Sequence, residues 1–130
     1  MEDRTLSVQL FDLAGKQDKY DKLTKNYFQF SDVVMLVYDC SDRNSFTNLK
    51  FWNDKINDNL GPEIACVLIA NKIDLDNRQI TKEEGETFAK NETMQYYEVS
   101  AKSGEGIMDM FSKEIARKVS NERATFSSKP

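Results

Sequence analysis

The chain has 130 residues, which is enough for one compact domain with a sizeable core and too few for two. Lys and Arg number 18 against 22 Asp and Glu, so the formal net charge is −4, which argues against nucleic acid or an anionic membrane surface as the partner. The sequence contains no histidine, which excludes a Ser-His-Asp triad, a Cys-His pair and a histidine metal site within this chain.

Four apolar stretches predict β-strands: Leu6–Phe11, Val33–Tyr38, Ala65–Ala70 and Tyr96–Val99. Apolar residues at helical spacing, together with a capping box, predict four helices: Tyr20–Phe30, Phe46–Leu60, a segment that opens with Thr81–Glu84, and Glu105–Val119. The two middle strands are almost continuously apolar, which is typical of strands covered on both faces. Because strands and helices alternate, the sequence predicts an α/β fold with a mostly parallel sheet flanked by helices.

The two cysteines and the end of the chain bear on the compartment. Cys40 and Cys66 lie within or beside apolar runs and cannot build a disulfide framework or a four-thiolate zinc site, which suits a reducing, cytoplasmic environment. The apolar runs are too short to cross a bilayer. We expect a domain over residues 1–119, followed by a flexible polar tail over 120–130 that carries no cysteine for a lipid anchor.

Polar residues follow each of the four predicted strands. They form four short clusters: Asp12–Lys16, Asp39–Asp42, Asn71–Asp74 and Ser100–Lys102. In an open parallel sheet the ligand lies outside the carboxyl ends of the strands, so these clusters are expected to share one rim.

The cluster Asn71–Asp74 has the chemistry to recognise a guanine base. An ionised carboxylate only accepts hydrogen bonds, so Asp74 can take the ring N–H and the exocyclic amine of guanine together. The amide of Asn71 can tie neighbouring loops and reach the acceptor edge of the base, and the methylene stem of Lys72 can lie over the ring. Next to them, Ser100 and Ala101 are small, and the Ala101 N–H can donate to the guanine carbonyl.

The cluster that begins at Asp12 has the chemistry of a phosphate site. Asp12 ends a predicted strand, as does the carboxylate on the magnesium side of phosphate-handling enzymes. Gly15 lets a backbone amide approach a terminal phosphate without a Cβ in the way. Asn-Lys-x-Asp, Asp-x-Ala-Gly and Ser-Ala-Lys are each weak motifs, but their joint occurrence in this order after predicted strands is not expected by chance.

These residues resemble the carboxyl-terminal two-thirds of a Ras-superfamily small GTPase, most like the Rab family. The likeness runs from about Leu6 to Val119 and rests on four segments: FDLAGKQ, VVMLVYDCSDRNSF, LIANKIDL and YYEVSAKSGEGIMDMF. It implies a three-layer P-loop-GTPase-like fold that binds GTP or GDP with Mg²⁺. It also implies that Asp12 interacts with this Mg²⁺ through a water molecule or from the second coordination shell. It implies nucleotide contacts at Asp12, Ala14, Gly15, Asn71, Lys72, Asp74, Ser100, Ala101 and Lys102.

The chain also departs from the pattern of that family. No GxxxxGK(S/T) phosphate loop occurs in the 130 residues, and the chain starts where the third strand of the family is expected, so the first two strands and the first helix are predicted to be missing. By the family's strand order, the absent first strand would lie between Leu6–Phe11 and Val33–Asp39. Lys16 stands where a glutamine orients the attacking water, and Leu13 replaces a small polar residue. We therefore expect weak nucleotide and Mg²⁺ binding, no intact catalytic residue and negligible GTP hydrolysis.

Three functions remain open from the sequence. The first is a Rab-like guanine-nucleotide switch of vesicle trafficking, incomplete or degenerate, whose switch II-like region 16–30 meets effectors or regulators and brings the protein to endomembranes. The second is a non-enzymatic interaction module that keeps the scaffold without nucleotide turnover. The third is a phospho-acceptor receiver domain built on Asp12 or Asp39 with Lys102, which explains neither Asn71 nor Asp74.

Overall fold

The computed structural model describes residue 5 and residues 7–13, 31–60 and 64–127. The strands are β1 (Val33–Asp39), β2 (Ala65–Asn71) and β3 (Gln95–Glu98). The helices are α1 (Arg43–Thr47), α2 (Leu49–Leu60), α3 (Lys82–Asn91) and α4 (Ile107–Ser127). Among the described residues, no helix combines the length and apolar character needed to cross a membrane.

The described strands form one parallel sheet in the order β1-β2-β3. Asp39 at the end of β1 lies opposite Asn71 at the end of β2, and Ala70 lies opposite Glu98 at the end of β3. The carboxyl ends of the three strands therefore meet at one edge, as the sequence predicts. The register brings the loops that follow β1, β2 and β3 together at that edge.

Helices cover the sheet on both faces and give it three layers. On one face, buried residues of β1 and β2 such as Leu36 and Leu68 belong to a core shared with Leu49 and Ile56 of α2. On the other face, a second core joins residues of β2 and the β3 end to α4; it contains Val67, Ile69, Val99 and Met110. β2 is thus buried from both sides, which confirms the interpretation of its continuous apolar run and the predicted α/β class. The same prediction is wrong for β1, whose burial alternates along the strand and whose Val37 is 56% exposed.

The α3 helix begins at the predicted capping box and packs closely on the sheet. The Thr81 hydroxyl accepts the N–H of Glu84, and the Glu84 carboxylate accepts the N–H of Thr81. One turn later, a Cβ at Gly85 would lie 2.5 Å from the Tyr38 hydroxyl oxygen and 2.6 Å from the Tyr96 ring. Only a residue without a side chain lets the helix approach β1 and β3 this closely.

The predicted strand Leu6–Phe11 does not form in the residues that the structure describes there. Residues 7–13 have neither helical nor strand structure, and 52% of Val8, 68% of Leu10 and 57% of Phe11 is exposed. A strand needs a neighbour to pair its backbone groups and a layer to cover its apolar face. None of the described strands pairs with residues 7–11. The predicted helix Tyr20–Phe30 lies outside the described residues.

Two helix predictions are corrected in their bounds. The predicted helix Phe46–Leu60 is divided at Asn48 into α1 and α2. The last helix continues to Ser127, eight residues beyond the predicted end at Val119. Residues 120–127 contain neither glycine nor proline, so nothing in the backbone stops the helix there. The assignment of 1–119 as the domain stays a prediction.

Candidate functional site

The loop after β2 is held in a tight turn at the carboxyl edge of the sheet. Lys72 has a left-handed backbone conformation with φ of 68°, and its carbonyl accepts the N–H of Leu75 at 3.1 Å. The Ile73 N–H donates to the carbonyl of Val99 at 3.3 Å. The Asn71 carbonyl accepts the N–H of Cys40. Backbone bonds thus tie this loop to the ends of both neighbouring strands.

Two side chains of this loop bond to the loop that follows β3. Oδ1 of Asn71 accepts the N–H of Ala101 at 3.0 Å. Oδ1 of Asp74 accepts the hydroxyl of Ser100 at 2.7 Å. Ser100 is fully buried, whereas Asp74 is exposed. The Ser100 hydroxyl oxygen also accepts the N–H of Ser103 at 3.1 Å, so one hydroxyl orders its own loop and orients the exposed carboxylate.

Glycines allow the turn after β3 to close. The Gly104 N–H donates to the Ser100 carbonyl, and the Ser100 N–H donates to the Glu105 carbonyl. Gly106 has a φ of 78°, and a Cβ there would lie 2.5 Å from the Glu98 carbonyl oxygen. A side chain at Gly106 is therefore excluded both by backbone conformation and by space.

The ammonium of Lys72 forms an ion pair with Asp39. Its Nζ lies 2.9 Å from Oδ2 of Asp39, while Oδ1 of Asp39 accepts the hydroxyl and the N–H of Ser41. Burial alone would raise the pKa of Asp39, but the hydrogen bonds from Ser41 and Lys72 outweigh it and lower that pKa. The hydrogen bond to Asp39 raises the pKa of Lys72. Both groups are charged at neutral pH.

The structure brings five of the predicted base-binding residues together: Asn71, Lys72, Asp74, Ser100 and Ala101. Lys102 is exposed on the same loop as Ala101. The geometry differs from the expectation at Ala101, because its N–H is already taken by Asn71. Since Oδ1 of Asn71 is used in this way, the amide nitrogen of Asn71 is the group left to donate to a base.

The phosphate side of the predicted site lies largely outside the described residues. Ala14, Gly15 and Lys16 are not among them. Asp12 is exposed within residues 7–13, and no hydrogen bond or ion pair joins it to another described candidate residue. Across the described parts of the chain, no group of three His, Cys, Asp or Glu side chains is placed to hold a metal ion.

The hydrogen-bonding groups on the base side of the site fit a guanine base. Among the described residues, Ser100 is the hydrogen-bond partner of one oxygen of Asp74, which leaves the other oxygen and the open side of the carboxylate to accept N–H groups. Mg²⁺ in nucleotide sites is held by one or two carboxylates with phosphate oxygens and water. A single carboxylate at Asp12 is therefore compatible with Mg²⁺ that arrives with the nucleotide.

The ion pair between Asp39 and Lys72 is the part of the site that the sequence did not predict. The sequence places Asp39 among the polar residues after β1, and the receiver-domain alternative pairs it with Lys102. In the structure its carboxylate contacts Lys72 and Ser41. The signal was the position of Asp39 at a strand end, but the partner follows only from the β1–β2 register.

Three layers around a parallel sheet, with Asn-Lys-x-Asp and Ser-Ala-Lys loops bonded to each other at its carboxyl edge, define a small-GTPase-like domain. The family model described as the Ras family matches residues 1–121. The chain belongs to the Ras family. Members of this family generally bind GTP or GDP with Mg²⁺ and interact with effectors or regulators.

Proposed function

We propose that this chain is a Rab-like guanine-nucleotide-binding switch of vesicle trafficking. The Rab-like character is supported by the segments VVMLVYDCSDRNSF and YYEVSAKSGEGIMDMF. Nucleotide binding is supported by one observation above all. Asn71 and Asp74 each bond to the loop after β3, at 3.0 Å and 2.7 Å, and this leaves a carboxylate edge exposed at the rim.

The proposed base contacts come from three described side chains. Asp74 accepts the ring N–H and the exocyclic amine of guanine, which adenine cannot supply on that edge. The amide nitrogen of Asn71 donates to the acceptor edge of the base. The methylene stem of Lys72 covers one face of the ring. Ser100 and Ala101 hold Asp74 and Asn71 in place, and their small side chains leave room for the purine.

The proposed phosphate contacts are fewer. Asp12 lies on the magnesium side, and Ala14 and Gly15 complete the proposed contacts there, whereas Lys102 belongs to the proposed guanine contacts. Mg²⁺, when bound, neutralises charge on the phosphate oxygens. Since these 130 residues contain no GxxxxGK(S/T) loop, we propose that the chain by itself binds nucleotide and Mg²⁺ weakly. The switch II-like region 16–30 is the proposed contact for effectors or regulators, through which the cytoplasmic protein reaches endomembranes.

A second candidate function is a non-enzymatic interaction module that binds partners without nucleotide turnover. Lys16 favours it, because an ammonium has no acceptor with which to orient an attacking water. The ordered base-side loops favour the first function, because a module that binds no nucleotide has no need to present Asp74 at the rim.

Nuclear magnetic resonance titration of the chain with GDP and with ADP tests the proposal. We expect tighter binding of GDP, and we expect Asp74→Asn to remove the preference, since charge-assisted hydrogen bonds are worth about tenfold to a hundredfold in affinity. Asp76→Asn is the matched control, because it removes the same charge from the same loop at an exposed residue. Equal affinity for the two nucleotides would reject a guanine site, and no binding of either would favour the interaction module.

A further inference from the structure

The Asp39 carboxylate is held by partners on both of its oxygens. Oδ1 accepts the Ser41 hydroxyl at 2.6 Å and the Ser41 N–H at 2.8 Å. Oδ2 lies 2.9 Å from the ammonium of Lys72. The Asp39 N–H donates to the Ser45 hydroxyl at 2.9 Å, and the one hydrogen of that hydroxyl is shared between the carbonyls of Asp42 at 2.8 Å and Asp39 at 3.0 Å. The backbone and side chain of Asp39 are therefore both fixed before any ligand binds.

Lys72 depends on this carboxylate for its orientation. Its backbone is in the left-handed region, and 52% of its side chain is exposed. A long exposed lysine side chain otherwise samples many rotamers, and ordering it during binding lowers affinity. Because Asp39 faces Asn71 in the parallel register, its carboxylate is placed to hold the ammonium of the next residue along the chain.

We propose that Asp39 is a positioning residue for nucleotide binding: it anchors the ammonium so that the methylene stem of Lys72 forms a preordered wall for the purine ring. This inference rests on the proposed nucleotide-binding function. An aliphatic stem contacts guanine and adenine rings alike, whereas the carboxylate of Asp74 distinguishes them. Asp39 therefore sets the affinity for purine nucleotides in general, and Asp74 sets the preference for guanine.

The anchor is tested first without nucleotide. The pKa of the Lys72 ammonium is followed by nuclear magnetic resonance of its side-chain carbon in the unmodified chain, in Asp39→Asn and in Asp76→Asn. We expect Asp39→Asn to lower that pKa and Asp76→Asn to leave it unchanged. The asparagine side chain still has an oxygen to accept the Ser41 bonds, so the turn is retained. A Lys72 pKa that is the same in Asp39→Asn as in the unmodified chain would overturn the claim that Asp39 anchors the Lys72 ammonium.

The positioning role is then tested with GDP and ADP. We expect Asp39→Asn to weaken the binding of GDP and of ADP by about threefold to tenfold each, and to leave the ratio of the two affinities unchanged. Lys72→Met keeps the apolar stem without the ammonium, so we expect it to weaken the binding of both nucleotides by a similar factor to Asp39→Asn. In the Lys72→Met background, Asp39→Asn should change affinity by less than about twofold, since the two residues act as a pair.

The outcomes separate this inference from the function on which it rests. Binding of neither nucleotide by the unmodified chain overturns the proposed function and the positioning role together. Equal binding of GDP and ADP overturns the guanine site alone, and the response of both affinities to Asp39→Asn still decides the positioning role. A guanine preference combined with an unchanged affinity in Asp39→Asn and Lys72→Met overturns the positioning role alone. A fall in the GDP-to-ADP ratio in Asp39→Asn shows general damage to the base side and also overturns it. If Asp39→Asn does not fold, Lys72→Met carries the same prediction.

Discussion

The Tyr97 hydroxyl donates a 2.6 Å hydrogen bond to Oε1 of Glu114, and this bond joins β3 to α4. Only 6% of Glu114 is exposed, and its other described partner, Arg117, lies 3.7 Å away. A nearly buried carboxylate needs its hydrogen bonds, because leaving it unpaired costs its desolvation free energy. The pair therefore helps to hold the last helix on the sheet.

We expect Tyr97→Phe to lower the free energy of unfolding by about 1–3 kcal/mol, because the substitution leaves Oε1 of the nearly buried Glu114 with only the more distant Arg117 guanidinium, 3.7 Å away. Urea unfolding followed by circular dichroism measures the change. The double variant Tyr97→Phe with Glu114→Met removes both partners and is expected to lose less stability than Tyr97→Phe alone. A double variant that is less stable than the single one would contradict this role of the bond.

The same pair predicts a loss of stability at high pH. Burial, followed by the hydrogen bond to Glu114, raises the pKa of Tyr97 to about 12 from an ordinary value of 10.0. The folded state therefore holds the tyrosine proton more tightly than the unfolded state. The contribution to stability is complete below pH 10 and is lost as the pH rises towards 12. Unfolding between pH 9 and 12 should show a shallower decline in Tyr97→Phe; identical pH profiles would exclude the linkage.

We expect Gly85→Ala to destabilise the protein although alanine is the better helix former. The gain in helix propensity is about 1 kcal/mol. The added Cβ would lie 2.5 Å from the Tyr38 hydroxyl oxygen and 2.6 Å from the Tyr96 ring, and Tyr38 is only 1% exposed, so its side chain has little room to retreat. Overpacking costs about 1–3 kcal/mol, and thermal unfolding should show a lower midpoint.

Thr87→Ala is the control for this prediction. Thr87 lies two residues further along the same helix on its exposed side, so the change to alanine raises propensity without a clash. We expect Thr87→Ala to leave the midpoint unchanged or slightly higher. A higher midpoint in Gly85→Ala would mean that α3 can move away from Tyr38 and Tyr96 at little cost.

The sequence was sufficient for features that depend on local pattern. The continuous apolar run of β2 predicts burial on both faces, and the Thr81 and Glu84 pair predicts the start of α3; both are found. The base-side chemistry assigned to Asn71 and Asp74 rests on the same kind of local pattern and stays a prediction. In each case one segment carries the whole signal, so the prediction needs no knowledge of the neighbouring elements.

The sequence was insufficient where the outcome depends on a partner distant along the chain. Residues 7–11 are apolar enough for a strand, yet no described strand pairs with them. The pairing of Asp39 with Lys72 follows from the register between β1 and β2, which no local pattern fixes. The use of the Ala101 N–H by Asn71 likewise depends on how two loops meet.

We expect GTP hydrolysis by the 130-residue chain to stay at the uncatalysed rate. By the resemblance to small GTPases, Lys16 is expected at the position of the water-orienting glutamine, and an ammonium has three donors and no acceptor. Groups that orient water or move its proton contribute about 10²–10⁴-fold. Phosphate release is the measurement, and Lys16→Gln is not expected to restore activity, because the 130 residues contain no GxxxxGK(S/T) loop either. Release above background that Asp12→Ala abolishes would contradict this expectation.

Hydrogen exchange should be slowest at the centre of β2 and fast over residues 7–11. β2 pairs with β1 on one side and β3 on the other, and Val67, Leu68 and Ile69 are at most 3% exposed. Their amides therefore open only when the sheet opens. Residues 7–11 have no strand structure, and Val8, Leu10 and Phe11 are all more than half exposed, so their amides should exchange before any in β2. In β1, alternate amides face β2 and should be protected. Equal protection of residues 7–11 and of Val67–Ile69 in a monomer would show that the apolar segment pairs with the sheet after all.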